Sequence, residues 1–387
     1  MTGTAPQDGP RLVAALLRWF AENARDLSWR RTLDPYAIWV SEIMLQQTQV
    51  KTVIPYWERW MRQLPTLRAL AKAPPEKVLK LWEGLGYYTR ARNLQKAARQ
   101  IVRGHGGRFP TGFDDILALP GVGRYTAGAI ASIAFNQPAP ILDGNVIRVL
   151  TRLFGIGENP RAKDTNLQLW GLARALVGLA ANFQFSIFNS QFSLAGPCSA
   201  LNQSLMELGA LVCTPRQPRC GECPVRRHCA ARKADRVEMI PNLGKRPSAT
   251  ARRFAAFLVG RQGQWLVQQR PAGVINAHLW EFPNVEVSAR ATLADAASRL
   301  FGSKVQKLAP LATVKHSITR YRICLEACLT ATRGKLPAFD GARWLLLPEL
   351  EHLPFTSAHR KVLRALQRTQ GKEKGRTTGP ALSHKTH

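Results

Sequence analysis

Hydrophobic positions between Arg11 and about Ala231 recur at helical spacing. Leu12, Leu16, Trp19 and Phe20 fall on one stripe, as a helix with one buried face requires. Ile38, Ile43, Leu45 and Val50 predict a second helix, and Val78, Leu81, Trp82 and Leu85 a further one. Pro74-Pro75, Gly104-His105-Gly106-Gly107 and Pro120-Gly121 punctuate these runs, and such pairs mark turns. Short helices joined by tight turns predict an all-α domain over residues 11–239, preceded by a disordered N-terminus at 1–10. Residues 240–250 read as a linker, after which the period changes. Residues 254–259 and 265–269 read as strands. Tyr321, Ile323, Leu325, Ala327 and Leu329 alternate with Arg320, Arg322, Cys324, Glu326 and Cys328, which is the period of two of a strand. Residues 251–368 therefore predict an α+β domain, and 369–387 a polar, disordered tail.

Composition agrees with two domains, since 387 residues exceed what one core usually serves. A hydrophobic share of 45% excludes global disorder. Lys+Arg 55 against Asp+Glu 25 gives a net charge of +30, and so large an excess points to a polyanionic partner, most often nucleic acid. No apolar run reaches the ~18 residues of a membrane span, and MTGTAPQDGP lacks the pattern of a secretory signal. A cytoplasmic monomer with no membrane association is the expectation.

In that setting disulfides are rare, so the seven cysteines need another account. Cys324 and Cys328 would lie roughly 13 Å apart along one strand at ~3.3 Å per residue, too far to bridge. Cys213, Cys220, Cys223 and Cys229 follow a C-x6-C-x2-C-x5-C spacing. Four thiolates in one compact loop suit an iron–sulfur cluster or tetrahedral zinc; the x2 pair fits zinc, the wider gaps do not. Arg216, Arg219, Arg226 and Arg227 surround the loop and give it a positive surface.

Leu119-Pro-Gly-Val-Gly-Arg124 separates two helical runs. Gly121 and Gly123 permit a tight turn that presents backbone N–H groups at the start of the second helix. Such a hairpin grips a phosphate without reading sequence.

With this hairpin, Leu-Asp-Gly-Asn-Val at 142–146 and the cysteine loop on the page, the chain resembles the endonuclease III superfamily of DNA glycosylases. WVSEIMLQQTQV at 39–50, WEGLGYYTRARNL at 82–94 and the appended second domain resemble its A/G-specific adenine glycosylase branch, the MutY type. The resemblance spans about residues 11–367. It implies a helix-hairpin-helix domain (hairpin 119–124) with a [4Fe–4S] loop (213–229), a Nudix-like second domain, and double-stranded DNA containing A opposite 8-oxoguanine or G as partner. The implied reaction is excision of that adenine.

Such cleavage needs the base protonated and negative charge beside the sugar cation, which two carboxylates in different environments supply. Glu42 matches the family's general acid; its apolar helix would raise its pKa by desolvation. Asp143 matches the second carboxylate, and the helix N-terminus after it would favour its ionised form. Tyr125 stands where bifunctional relatives carry a Schiff-base lysine, and a phenol forms no imine. A monofunctional enzyme is therefore expected, with Tyr125 near Asp143. By resemblance Asn145 orients Asp143 or water, Gln47 inserts into the duplex, and Tyr87 wedges beside the opposing guanine. Arg25, Arg30, Gln203 and Glu207 correspond to positions lining the adenine side.

Two places depart from the family. Its Phe-Ser-His loop is replaced here by Ile318-Thr319-Arg320, so reading of the oxidised guanine would pass to Ser317, Thr319 and Arg320. Residues 182–194, aromatic and polar, look inserted, most simply as a surface loop. The competing readings are a bifunctional glycosylase/lyase acting on oxidised pyrimidines and a non-enzymatic DNA-binding protein. Tyr125 argues against the first, and retention of both Glu42 and Asp143 against the second.

Overall fold

The computed structural model describes residues 7–183, 196–244, 248–288, 290–302, 305–318, 320–332 and 336–377. The bulk of the 182–194 insertion and Thr319 lie outside them.

The helical part runs α1 (Gly9–Asn23), α2 (Pro35–Leu45), α3 (Val50–Gln63), α4 (Leu67–Lys72), α5 (Pro75–Trp82), α6 (Thr89–Gly104), α7 (Phe113–Leu117), α8 (Arg124–Phe135), α9 (Gly144–Phe154), α10 (Lys163–Ala181), α11 (Pro197–Leu211) and α12 (Ala230–Lys233). The later part runs β1 (Thr250–Arg261), β2 (Gln264–Gln269), β3 (Trp280–Glu281), β4 (Asn284–Val287), α13 (Leu293–Phe301), β5 (Val305–Ile318), β6 (Tyr321–Thr332), β7 (Ala342–Leu346), α14 (Leu347–His352) and α15 (Ser357–Thr377). Contacts divide the chain into two units, Met1–Ala73 with Arg92–Arg246, and Pro74–Ala91 with Pro247–His387.

In the first unit, the stripe of α1 anticipated from Leu12, Leu16 and Phe20 is fully buried, with Trp19 packed at its margin. It joins Val146, Val149 and Leu150 of α9, Leu169 and Leu176 of α10, and Leu201, Leu205 and Leu208 of α11 in one core. Asp34 caps α2 by accepting the Tyr36 N–H at 3.0 Å, and Pro35 fits the first helical position. The single helix expected through Val50 is broken. Gln47 takes φ 57, a left-handed conformation that α-helix cannot contain, and Val50 opens α3 instead. The hairpin turn closes between α7 and α8 as anticipated, with the Val122 N–H on the Leu119 carbonyl at 3.1 Å.

The second unit is a sheet in the order β3-β2-β1-β6-β5, with β4 on β1 and β7 on β2. β1 and β6 pair in parallel over ten residues, Thr250↔Tyr321 to Val259↔Thr330; the other pairs are antiparallel. One face packs Ala256, Leu258 and Leu325 against Val362, Leu363 and Leu366 of α15. The other packs Phe257 and Val259 against Ala296, Ala297 and Phe301 of α13. Pro74–Ala91, drawn from sequence into the helical domain, packs with this unit. Glu83 is the reason: it accepts the Phe355 N–H and the Arg360 Nε–H, each at 2.8 Å. The C-terminal helix also continues to Thr377, into the stretch read as tail.

Helix α8 lies close against the extended segment that delivers Asp143, because Gly128 carries no side chain. A Cβ there would stand 2.2 Å from the Pro140 carbonyl oxygen, a backbone atom with little room to yield. Gly128→Ala should destabilise the protein by about 1–3 kcal/mol through overpacking. Urea unfolding checks this, and a wild-type midpoint would contradict the close approach.

Candidate active site

Parts of α2, α8, α9 and α11 surround a cavity of about 590 Å³ in the first unit, within the ~300–1,000 Å³ typical of small-molecule pockets. Glu42, Tyr125, Asp143 and Asn145 all line it. Tyr36 to Met44 of α2 are all buried, and Glu42 is 5% exposed as a residue. Tyr125, on the first turn of α8, donates its hydroxyl to Glu42 Oε2 at 2.8 Å, and its oxygen stands 3.3 Å from the Met206 sulfur. Burial pushes the Glu42 pKa up to about 7, with the Asp143 charge adding to the rise, while the Tyr125 bond and Arg30 oppose it. Tyr125 shares the cavity with Asp143, as expected, and is close enough to feel its charge, while its hydrogen bond goes to the other acid.

Asp143 is the N-cap of α9. Its Oδ1 accepts the Val146 N–H at 2.7 Å, and its Oδ2 accepts from Asn145 Nδ2 at 2.9 Å. Burial raises its pKa, against the pull of these bonds and of Arg148. The N–H groups at the start of α9 favour the ionised form, as expected, but desolvation is the larger effect. Asn145 Oδ1 in turn accepts from Arg148 Nη2 at 2.8 Å, and Arg148 donates to the carbonyls of Cys213 and Gly209, each at 2.6 Å. One turn on, Arg152 donates to Thr214 O at 2.7 Å and reaches the Cys213 sulfur at 3.4 Å. Helix α9 therefore carries Asp143 at its start and grips the cysteine loop along its side.

The opposite wall holds Glu207, 1% exposed and clamped by two arginines. Arg25 Nε donates to Oε1 at 2.7 Å, and Arg30 Nη2 to Oε2 at 2.9 Å. Burial alone would raise this carboxyl, but the bonds from Arg25 and Arg30 hold it at about 2. Arg30 Nε also donates to Gln203 Oε1 at 3.1 Å, and Gln203 donates to Ser199 Oγ at 3.0 Å. The four residues assigned to this side from sequence do share one wall.

Gln47 is exposed at the cavity rim. In the hairpin, Gly121 has φ +78 and a Cβ would meet Asn93 at 2.6 Å, whereas a Cβ on Gly123 would face open space. Gly121 is thus required by the turn, while at Gly123 the bare backbone faces outward. In the second unit Tyr87, 48% exposed with φ 46, borders a cavity of about 520 Å³ with Ser317 and Tyr321. Arg320 stacks on Tyr321, its Nη2 3.1 Å from the phenol oxygen. Ile318 and Tyr321 pair across the hairpin, so the departure from the family pattern sits at a β-hairpin tip.

All four loop cysteines are free and partly exposed. Burial and the neighbouring sulfurs push Cys223 up to about 12, and Cys229 upward too. Such thiols ionise only when a metal supplies compensating positive charge, and an all-sulfur donor set suits iron–sulfur chemistry. Among the described residues no three His, Cys, Asp or Glu side chains close around a single ion, although these four sulfurs are near enough to influence one another's charge. Met206, Gln46 and Thr126, which line the cavity with Gln46 Nε2 donating to Thr126 Oγ1 at 3.3 Å, and Arg148 behind Asn145 were not anticipated. Arg148 carried a signal, lying three residues after Asn145 on one helix face; Met206, an apolar residue in an apolar helix, carried none.

Three family models match the chain: the HhH-GPD superfamily base excision DNA repair protein over residues 40–175, the iron-sulfur binding domain of endonuclease III over 213–229, and the NUDIX domain over 255–365. The adenine DNA glycosylase of Homo sapiens is 37% identical over 92% of this chain and 74% of its own. The chain belongs to the adenine DNA glycosylases. That of Buchnera aphidicola subsp. Schizaphis graminum is 35% identical over 70% of this chain and 74% of its own. Among solved structures, a thermostable thymine-DNA glycosylase superposes with TM-score 0.50 at 30% identity, covering 59% of this chain and 98% of that one. The glycosylase thus joins a helix-hairpin-helix domain to a Nudix domain and carries a [4Fe–4S] cluster. No helix among the described residues is long and apolar enough to cross a membrane.

The Glu42 shift has a stability consequence. Its folded pKa of about 7 exceeds the ordinary 4.5, so the contribution is full below about 4.5 and fades as pH rises through 7. The loss is about 3 kcal/mol at ~1.36 kcal/mol per pKa unit. Glu42→Gln should remove this slope, and urea unfolding at acidic and alkaline pH reads it. Parallel pH profiles for wild type and variant would contradict the shift.

Proposed function

We propose that the glycosylase hydrolyses the N-glycosidic bond of adenine mispaired with 8-oxoguanine or guanine in duplex DNA, acting as a monomer on the cell's cytoplasmic DNA. The observation that carries the reading is that Glu42 and Asp143 line one cavity in different environments.

The adenine leaves the stack and enters this cavity, as enzymes acting on bases require. Glu42 gives its proton to the base, the C1′–N9 bond breaks with its electron pair going to adenine, and the sugar acquires oxocarbenium character. The Asp143 carboxylate stabilises that cation at close range in a dry site, and Asn145 holds the carboxylate's orientation. Water adds at C1′ and its released proton restores Glu42. An abasic site and free adenine remain. Arg25, Arg30, Gln203 and Glu207 form the polar wall against the base. Gln47 and Tyr87 fill and probe the duplex where the base has left, and Gly121 and Gly123 present the hairpin backbone to a phosphate. Ser317, Arg320 and the neighbouring Thr319 read the opposing guanine. Cys213, Cys220, Cys223 and Cys229 hold the cluster, which fixes the loop that Arg148 and Arg152 grip.

The lyase reading finds no support at the cavity, where no lysine lines the wall among the described residues. Incubation with duplex carrying A opposite 8-oxoguanine should release adenine and give strand breaks only after alkali. Breaks without alkali would favour the lyase. Glu42→Gln should slow excision about 10²–10⁴-fold, the usual contribution of a general acid, with duplex binding retained. Excision near the wild-type rate would remove Glu42 from its role.

A further inference from the structure

The hairpin ends in a cation held by an aromatic face rather than by an acid. Arg124 opens α8 directly after Gly123, and its guanidinium lies 3.9 Å from the ring centroid of Trp170 on α10. Trp170 is itself packed against the core of the first unit, so the ring is a fixed platform. Among the described residues no carboxylate pairs with Arg124. Its electrostatic neighbour is another cation, the exposed Arg174 one turn along α10.

Each of these features is unfavourable for an isolated arginine. The N-terminus of a helix carries partial positive charge, α8 has no side-chain cap to offset it, and Arg174 repels Arg124. An acidic partner would have relieved all three. Stacking instead fixes the guanidinium through its face and leaves the planar fork of N–H donors unspent at its edge. That edge matches two oxygens of a phosphate. The open space at Gly123 lies on the adjoining residue.

We propose that Arg124 is a phosphate ligand of the hairpin and that Trp170 is its positioning residue, together adding a charged, geometrically fixed contact to the DNA backbone. The inference rests on the reading of the hairpin as a phosphate site and extends it from backbone N–H groups to a side-chain pair. It assigns Trp170 a role at the DNA that its half-buried place on α10 does not announce. The contact is to backbone only, so it should strengthen binding without altering which mispair is chosen.

The experiment is a salt titration of binding, using intact enzyme and an A·8-oxoguanine duplex whose adenosine carries a 2′-fluorine that blocks cleavage. Each phosphate contact contributes about 0.9 to the slope of log affinity against log salt. Arg124→Ala and Trp170→Leu should each lower the slope by about 1, and the double variant should lower it no further. Trp170→Phe keeps an aromatic face and should keep most of the slope, which separates loss of the stack from loss of fold. A wild-type slope in Trp170→Leu, or losses that add in the double variant, would overturn the positioning role. Gly123→Asp tests the hairpin itself by placing a negative charge where the phosphate sits. Weakened binding in Gly123→Asp with wild-type slopes in the other variants would defeat this inference alone, whereas unchanged binding in Gly123→Asp would defeat the hairpin reading beneath it.

Discussion

A carboxyl group cut off from water holds its proton unless a cation or several donors compensate it. Glu42 is placed in that condition by a helix that buries every neighbour from Tyr36 to Met44. Its one strong donor is a phenol, which supports the carboxyl without neutralising its charge. The arrangement keeps an acid protonated close to neutrality, and the placement of the other groups in the cavity makes sense around that proton.

Three carboxyls share the cavity and three environments divide their work. Glu42 meets a hydroxyl and is pushed up to about 7. Glu207 meets two guanidinium groups and is held at about 2, a permanent anion. Asp143 is raised by burial, against the pull of its cap bonds and Asn145. A buried Arg–Glu–Arg cluster such as that of Glu207 adds little net stability, because desolvation offsets the attraction. Its value is geometric: removing one member strands the rest, so the wall keeps its shape. Arg148 then couples Asn145 to the carbonyls of Cys213 and Gly209, so the position of Asp143 depends on the cysteine loop.

Much of this was legible in the sequence, for reasons that differ between residues. The α1 stripe followed from periodicity because that helix buries one dominant face, and the β6 alternation from the period of a strand, although β6 also buries Cys328 and Thr330 on its other face. Glu42 was singled out by the family motif at 39–50, and the apolar helix around it then gave the sign of its shift. Asp143 stood out through the Leu-Asp-Gly-Asn-Val motif and its place before a helix, but its desolvation is something no local rule reports. The break at Gln47 was missed because neither Gly nor Pro marks it. Met206 was invisible because its role at Tyr125 is one of contact rather than of composition.

Whether the proton used in excision belongs to Glu42 under the influence of Tyr125 is legible in the pH dependence of excision. Single-turnover adenine release measured across pH for wild type and Tyr125→Phe tests this directly. The rate should fall as pH rises through about 7, and removing the phenol's hydrogen bond should move that descending limb to higher pH. A limb at the ordinary carboxylate pKa, or one unmoved by Tyr125→Phe, would contradict it.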